Sequence, residues 1–271
     1  MMQRKFKLPD EIPEEEWPKP EEFVEEAKRI VDYARDNGVV LRVMGGLGVY
    51  MHSREFDELW RKLGRLGRKV FTDIDLAAYG SSREKTLDIM KGLNYEIWKQ
   101  SMYFFGGKRY IFFGRIPMVE IFFDSLEMNH KINFKGRLEK DEYTLPLAEL
   151  LMSKLQIVKI NEKDIKDAIV LIRAHDIGDN DKDIINGKHI ARVLSKDWGF
   201  YYTFTVNLKK VLDSLTSYSS LSSKDISIIR ERANKLFDMI EKEPKTMGWK
   251  IRARIGPSKK WYNEVDEWVE F

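Results

Sequence analysis

The chain has 271 residues, of which 43% are hydrophobic and 34% charged, with a formal net charge of +3 at pH 7, four histidines and no cysteine. Without cysteine there are no disulfides and no thiolate metal sites, and the small net charge does not by itself indicate a nucleic-acid binder. No apolar run approaches the roughly 20 residues of a membrane span, and residues 1–7 lack the apolar core of a signal peptide. We therefore expect a cytoplasmic protein that has no contact with a membrane.

The first half of the chain is predicted to alternate helices with the strands of a mixed sheet. The helices carry an apolar stripe, and the strands are short apolar runs that end at glycine or polar turns. In chain order these are a helix at 21–36, a strand at 39–44, a helix at 47–52, a strand at 71–78, a helix at 82–92, a hairpin of strands at 95–105 and 108–113 that turns at Gly106-Gly107, and a strand at 118–124.

From residue 146 onward the pattern becomes helical. Pro146 suits the first turn of a helix, and Asn161 followed by Asp164 is an N-cap pattern. Further helices are predicted at 187–195, 204–214 and 223–242. The sequence thus predicts an α/β (α+β) protein with a mixed-sheet domain and N-terminal arm at 1–145 and a mainly helical domain at 146–271.

Two short motifs in the first half suit phosphate and metal chemistry. Gly45 and Gly46 stand where a buried strand turns into a helix. A glycine pair there permits a phosphate to approach the unpaired N–H groups of the helix N-terminus. Asp73 and Asp75 alternate on a predicted strand, so both carboxylates point to one face, with Cα atoms roughly 6–7 Å apart. Such a pair repels itself unless a cation lies between, and Mg²⁺ prefers oxygen ligands of this kind.

A third acid is expected on the strand at 118–124. Glu120 is flanked by Val119 and Ile121, which is the pattern of one charge pointing off an apolar strand. Asp124 falls on the same face farther along and is the alternative. We prefer Glu120 because a residue inside a strand is held more rigidly than one at its end.

These motifs, in this order, resemble those of the nucleotidyltransferase superfamily related to DNA polymerase beta. In that superfamily a helix-opening Gly-Gly or Gly-Ser precedes an Asp-x-Asp strand and then a third acid, as do Gly45-Gly46, Asp73-Ile74-Asp75 and Glu120 here. The resemblance implies metal-dependent transfer of a nucleoside monophosphate from an NTP, with Mg²⁺ or Mn²⁺ held by the three acids.

The resemblance extends to the minimal nucleotidyltransferases of the abortive-infection toxin type. These have a basic residue before the Asp-x-Asp strand, for which Arg68 or Lys69 is the match, and a lysine-bearing helix downstream, for which Lys154 is the match. Residues 163–167 resemble their basic-acidic pair with a further Asp. One departure is the longer gap between Gly46 and Asp73, which contains a basic segment.

Lys154 is accordingly predicted to contact the triphosphate, with the alternative that its stem only covers the edge of the core. The acceptor is open: a sugar phosphate, an antibiotic, a tRNA end or a protein side chain would all suit the donor motifs. Two other functions also stay open, a toxin–antitoxin component acting on tRNA or a protein partner, and a nucleotide-binding module without catalysis.

Two charged segments have alternative interpretations. Residues 245–262 combine six basic residues with three aromatic ones and no acid, which suits phosphate contact and base stacking with RNA or a single strand. We favour the other interpretation, a half-buried strand, because residues 250–255 alternate. The other segment is the acidic run 176–183. Counted from Asp179, it lacks the glycine and closing glutamate of a calcium loop, and it is expected to form a solvated loop.

Overall fold

The computed structural model describes residues 7–65 and 70–265. The helices are α1 (Pro20–Asp36), α2 (Gly45–His52), α3 (Asp57–Lys62), α4 (Arg83–Gly92), α5 (Lys99–Phe104), α6 (Leu147–Leu155), α7 (Glu162–Ala174), α8 (Gly187–Leu194), α9 (Trp198–Ser214), α10 (Ser223–Lys242) and α11 (Met247–Ile255). The strands are β1 (Leu41–Val43), β2 (Ile74–Ala78), β3 (Glu96–Ile97), β4 (Arg109–Phe113), β5 (Val119–Phe123), β6 (Ser125–Glu127), β7 (Lys131–Asn133), β8 (Ile177–Gly178) and β9 (Ile185–Asn186).

The main sheet is mixed, with the strand order β1-β2-β5-β4-β3. β2 and β5 are parallel neighbours, whereas the pairs β1–β2, β5–β4 and β4–β3 are antiparallel. Asp75 and Glu120 are directly opposite each other in the register of β2 and β5. The predicted fold class, a mixed sheet with helices followed by a helical region, is confirmed.

Helices of the second half pack against helices of the first half. α6 contacts α2, and α7 contacts both α2 and α3. One hydrophobic core runs through both halves, from Phe23 on α1 to Ile240 on α10. The boundary at residue 145 stays a prediction. Among the described residues no helix is both long and apolar enough to cross a membrane.

A buried ionic network also joins the two halves. Arg137 donates two hydrogen bonds to Glu149 on α6, at 2.5 and 3.0 Å, and two to Asp181, at 3.0 and 2.6 Å. The Nε2 of His189 on α8 lies 2.8 Å from the same glutamate. Asp181 therefore holds part of the acidic segment 176–183 against the protein, where the sequence predicted a solvated loop.

Two strand predictions are wrong because helix-capping residues outweigh the apolar pattern. At 95–105 only β3 is extended, and α5 follows, ended by Gly106 and Gly107 with φ of +53° and +73°, where a hairpin turn was predicted. At 250–255 the chain forms α11, which begins with Thr246 accepting a hydrogen bond from Trp249 N at 3.3 Å. The predicted helix at 204–214 also begins earlier, at Trp198, because Asp197 caps it.

Candidate functional site

The glycine turn at the start of α2 is in close contact with the Asp-x-Asp strand. α2 begins at Gly45, whose φ of +66° is in the left-handed region that favours glycine. A Cβ on Gly45 would overlap the carboxylate of Asp75 and lie 3.3 Å from that residue's own Cβ. The backbone N–H of Met44 donates to the carbonyl of Asp75 at 2.8 Å, so the turn and β2 are held in register.

The three predicted acids lie on neighbouring strands. Asp73 immediately precedes β2, Asp75 lies within it, and both are half-buried, whereas Glu120 on β5 is 5% exposed. Burial raises the pKa of all three carboxyls. The pKa of Asp75 is raised well above its ordinary value, first by burial and then by the charges of Asp73 and Glu120. The nearby guanidinium of Arg109 opposes each of these increases in pKa.

This donor set fits a hard divalent cation. Its members are carboxylates, whose mutual repulsion a divalent ion would relieve, and Gly45 leaves open the space that the Asp75 carboxylate occupies. The three acids do not form a finished metal cage. Over residues 7–65 and 70–265, no group of three His, Asp or Glu side chains is arranged to hold a metal ion. Glu120 is turned toward Arg109, with which it forms a short ion pair.

Positive charge also lines the site. Lys154 on α6 is 9% exposed, and its Nζ lies 2.9 Å from Asp167 and 3.1 Å from Asp164, both on α7. Burial alone would lower the pKa of Lys154, but the charges of these two aspartates outweigh burial and raise it. Arg65 donates to Asp167 at 2.7 and 3.2 Å, and its Nη2 lies 2.6 Å from where a Cβ on Gly46 would stand.

A small open cavity of about 190 Å³ joins these parts. Its walls include the turn before α2, the two aspartates and three cationic side chains, namely Met44, Gly46, Leu47, Arg65, Val70, Phe71, Thr72, Asp73, Asp75, Lys154 and Lys163. A cavity lined by carboxylates and by a cationic wall of Arg65, Lys154 and Lys163 can bind a metal together with an anionic phosphate chain.

Other predicted residues lie apart from this cavity or outside the described residues. Arg68 and the alternative Lys69 belong to the undescribed segment 66–69. Asp124 directly follows β5 and has a φ of +65°. Its carboxylate accepts a hydrogen bond from the N–H of Gly80 at 2.8 Å and lies 3.4 Å from Arg83, so it serves the turn before α4.

Sequence reasoning did not select two arginines that the structure brings to the site. Arg65 pairs with Asp167, which is 102 residues away in the chain. Arg109 pairs with Glu120 on the neighbouring strand. For Arg109 a signal existed, because it begins one strand whose other residues are apolar, and Glu120 is the one charge within the next long strand. Two such charges on adjacent strands are expected to pair.

The basic segment 245–262 is partly engaged within the chain. Lys245 binds carbonyl groups at the end of α10, including that of Glu243 at 3.0 Å. Arg252 donates to the carbonyls of Gly256 and Lys259 at 2.6 and 2.7 Å. These contacts use the segment's charge to end helices, and a nucleic-acid partner for it stays a prediction.

No protein-family model and no curated protein matches the chain. Among solved structures, the chain is similar to the antibiotic-resistance factor ANT(2'')-Ia, whose solution structure reveals substrate-regulated conformation dynamics. The TM-score is 0.37 and the identity 15%, over 56% of this chain and 84% of that chain.

Proposed function

We propose that this protein is a metal-dependent nucleotidyltransferase. It would transfer a nucleoside monophosphate from an NTP to an acceptor hydroxyl or phosphate: the acceptor oxygen forms a bond to the α-phosphorus, the bond from that phosphorus to the bridging oxygen breaks, and pyrophosphate leaves. The observation that carries the proposal is the cavity in which a glycine-opened helix, two same-face aspartates and a cationic wall meet.

The donor triphosphate is assigned to the cationic wall and the glycine turn. The first N–H groups of α2 have no acceptor within the helix, and they carry the positive end of its dipole. Gly45 and Gly46 permit the phosphates to approach these N–H groups. Lys154 and Arg65, fixed by Asp167, supply charge that offsets the negative charge developing on the leaving pyrophosphate.

Asp73 and Asp75, with Glu120 as the third acid, are the residues assigned to Mg²⁺ or Mn²⁺. The bound ion would neutralise phosphate charge and lower the pKa of the acceptor hydroxyl. Glu120 has a second possible role, which is to accept the acceptor's proton directly. Burial raises the pKa of Glu120 despite the opposing charge of Arg109, and a raised pKa suits a carboxylate that acts as a base.

The experiment is incubation of the purified protein with labelled NTPs, Mg²⁺ or Mn²⁺, and cell extract, followed by separation into protein, RNA and small-molecule fractions. We expect one fraction to be labelled, and we expect Asp73→Asn to reduce the labelling about 100-fold or more through loss of a metal ligand. Asp124→Asn is the matched control, since asparagine still accepts the hydrogen bond from Gly80, and it should label like the unaltered protein.

The outcomes also distinguish the proposed function from the two alternatives. Binding of NTP with no labelled acceptor in any fraction would support a nucleotide-binding module without catalysis. Labelling of RNA or of one protein would identify the acceptor class and favour the toxin-type alternative. If no NTP binds in the presence of either metal, the proposal is refuted.

A further inference from the structure

Arg109 is placed beside the acid cluster, where its charge opposes that of the carboxylates. It begins β4, where it is opposite Phe122 of β5, and Ile111 is opposite Glu120. Arg109 and Glu120 therefore project from the same face of the sheet, one diagonal step apart. The Arg109 Nη2 donates a short hydrogen bond to Glu120 Oε1. The glutamate side chain is 6% exposed and that of Arg109 is 24% exposed, so the ion pair is partly shielded from water.

Aromatic rings hold the Arg109 guanidinium in this position. Its Cζ lies 4.9 Å from the ring centroid of Phe105 and 5.1 Å from that of Phe122. Both distances are within the range of cation–π attraction. The Nε of Arg109 is buried and has no hydrogen-bond partner among the described residues. The two rings and the Glu120 carboxylate thus hold the Arg109 guanidinium in place, while its Nε–H donates no hydrogen bond to the described residues.

We propose that Arg109 is a built-in counter-cation that competes with the divalent metal for Glu120. This inference rests on the proposed function. Without metal, the guanidinium supplies the positive charge that the three neighbouring carboxylates require. To hold the metal together with Asp73 and Asp75, Glu120 would have to turn away from Arg109. Arg109 is therefore a positioning residue. It lowers the metal affinity of the site by the free energy needed to displace its guanidinium from Glu120.

If Arg109 is a counter-cation, its removal should change the metal affinity in the opposite direction from the removal of a residue that only supports Glu120. A residue that merely oriented Glu120 for metal would weaken metal binding when removed. Removing a competing cation would strengthen metal binding, because the metal would no longer have to displace the guanidinium from Glu120. Removing Arg109 should therefore tighten Mn²⁺ binding about 10-fold, which is the contribution expected of one charge-assisted ion pair.

The test is titration of the full-length protein with Mn²⁺ alone, with free Mn²⁺ measured by electron paramagnetic resonance. The variants are Arg109→Gln and Arg109→Lys, where lysine keeps the charge but loses the planar fork and part of the ring contact. The expected order of Mn²⁺ affinity is Gln above Lys above the unaltered protein. The rise in melting temperature on adding Mn²⁺ should follow the same order, and the lysine variant provides the result if the glutamine variant does not fold.

Arg83→Gln is the matched control. Arg83 also lies over a phenylalanine ring, that of Phe123 at 5.1 Å, and also pairs with an acid, Asp124 at 3.4 Å. It should lower stability without changing Mn²⁺ affinity. Equal or weaker Mn²⁺ binding by both Arg109 variants would refute the counter-cation and leave the proposed function intact. Failure of every form to bind Mn²⁺, even with NTP present, would refute both.

Discussion

Gly45→Ala tests whether the glycine turn is required for the Asp75 carboxylate as well as for the backbone. Gly38 offers a control at nearly the same conformation, because its φ is +72° against +66° at Gly45. A Cβ on Gly38 meets nothing within 4 Å, whereas a Cβ on Gly45 overlaps the carboxylate of Asp75. The two alanine variants therefore share the backbone cost and differ in the displacement of one acid.

The expected losses of stability and of metal affinity follow from the backbone cost and from the displacement of Asp75. A left-handed alanine costs roughly 1–2 kcal/mol, and the reduced entropy of the unfolded chain returns about 0.4–1 kcal/mol. Both variants should therefore lose about 1 kcal/mol of unfolding free energy. In Gly45→Ala the Asp75 side chain must also rotate away from the site. Misplacing one of the proposed metal ligands should weaken Mn²⁺ binding by about 10- to 100-fold, with no such change in Gly38→Ala.

The assay combines urea unfolding of both variants with Mn²⁺ and NTP titrations. The expected result is a similar loss of stability in the two proteins and a loss of metal affinity in one. If Gly45→Ala bound Mn²⁺ and NTP as tightly as Gly38→Ala, the fitted contact between Gly45 and Asp75 would have no part in ligand binding. A much larger loss of stability in Gly45→Ala would show that the turn serves folding rather than the ligand.

Two further predictions concern stability. Arg137→Ala should cost about 3 kcal/mol in urea unfolding, because it leaves the buried Glu149 carboxylate with only His189 beside it. Arg35→Ala removes an ion pair whose arginine is 48% exposed, and it should leave the unfolding free energy nearly unchanged. Equal costs in the two variants would contradict the role of burial. Burial lowers the pKa of His130 to about 4, so the unfolded chain binds this proton first and stability is lost as pH falls from about 6.5 toward 4. His130→Gln should remove about 3 kcal/mol of that loss, and an unchanged difference in unfolding free energy between pH 7 and pH 4 would contradict it.

Local patterns identified most of the fold's elements. The apolar stripe of α1, the cap at Asn161 and the run that forms β5 each follow from periodicity or capping within a few residues. The same reasoning failed at α5 and α11, where apolar or alternating residues suit either state. There the deciding features were glycines with positive φ after α5 and a capping threonine before α11.

Local patterns likewise predicted only part of the candidate site. Strand alternation put Asp73 and Asp75 on one face, and a strand that ends in glycine indicated the turn before α2. That Glu120 stands opposite Asp75 depends on β2 and β5 being parallel neighbours. No pattern within either strand specifies its neighbour, because the order of strands is decided by the packing of the whole sheet.

The chain's own sequence thus determined the chemistry available: glycines for a close phosphate approach, carboxylates for a hard cation, and lysine for charge. Only the tertiary structure decided which of these groups meet. It brought Arg65 to Asp167 across 102 residues and turned Glu120 toward Arg109. The physical reason is that backbone preference and alternation act over a few residues, whereas a buried charge takes its partner from whatever element the packing of the core places beside it.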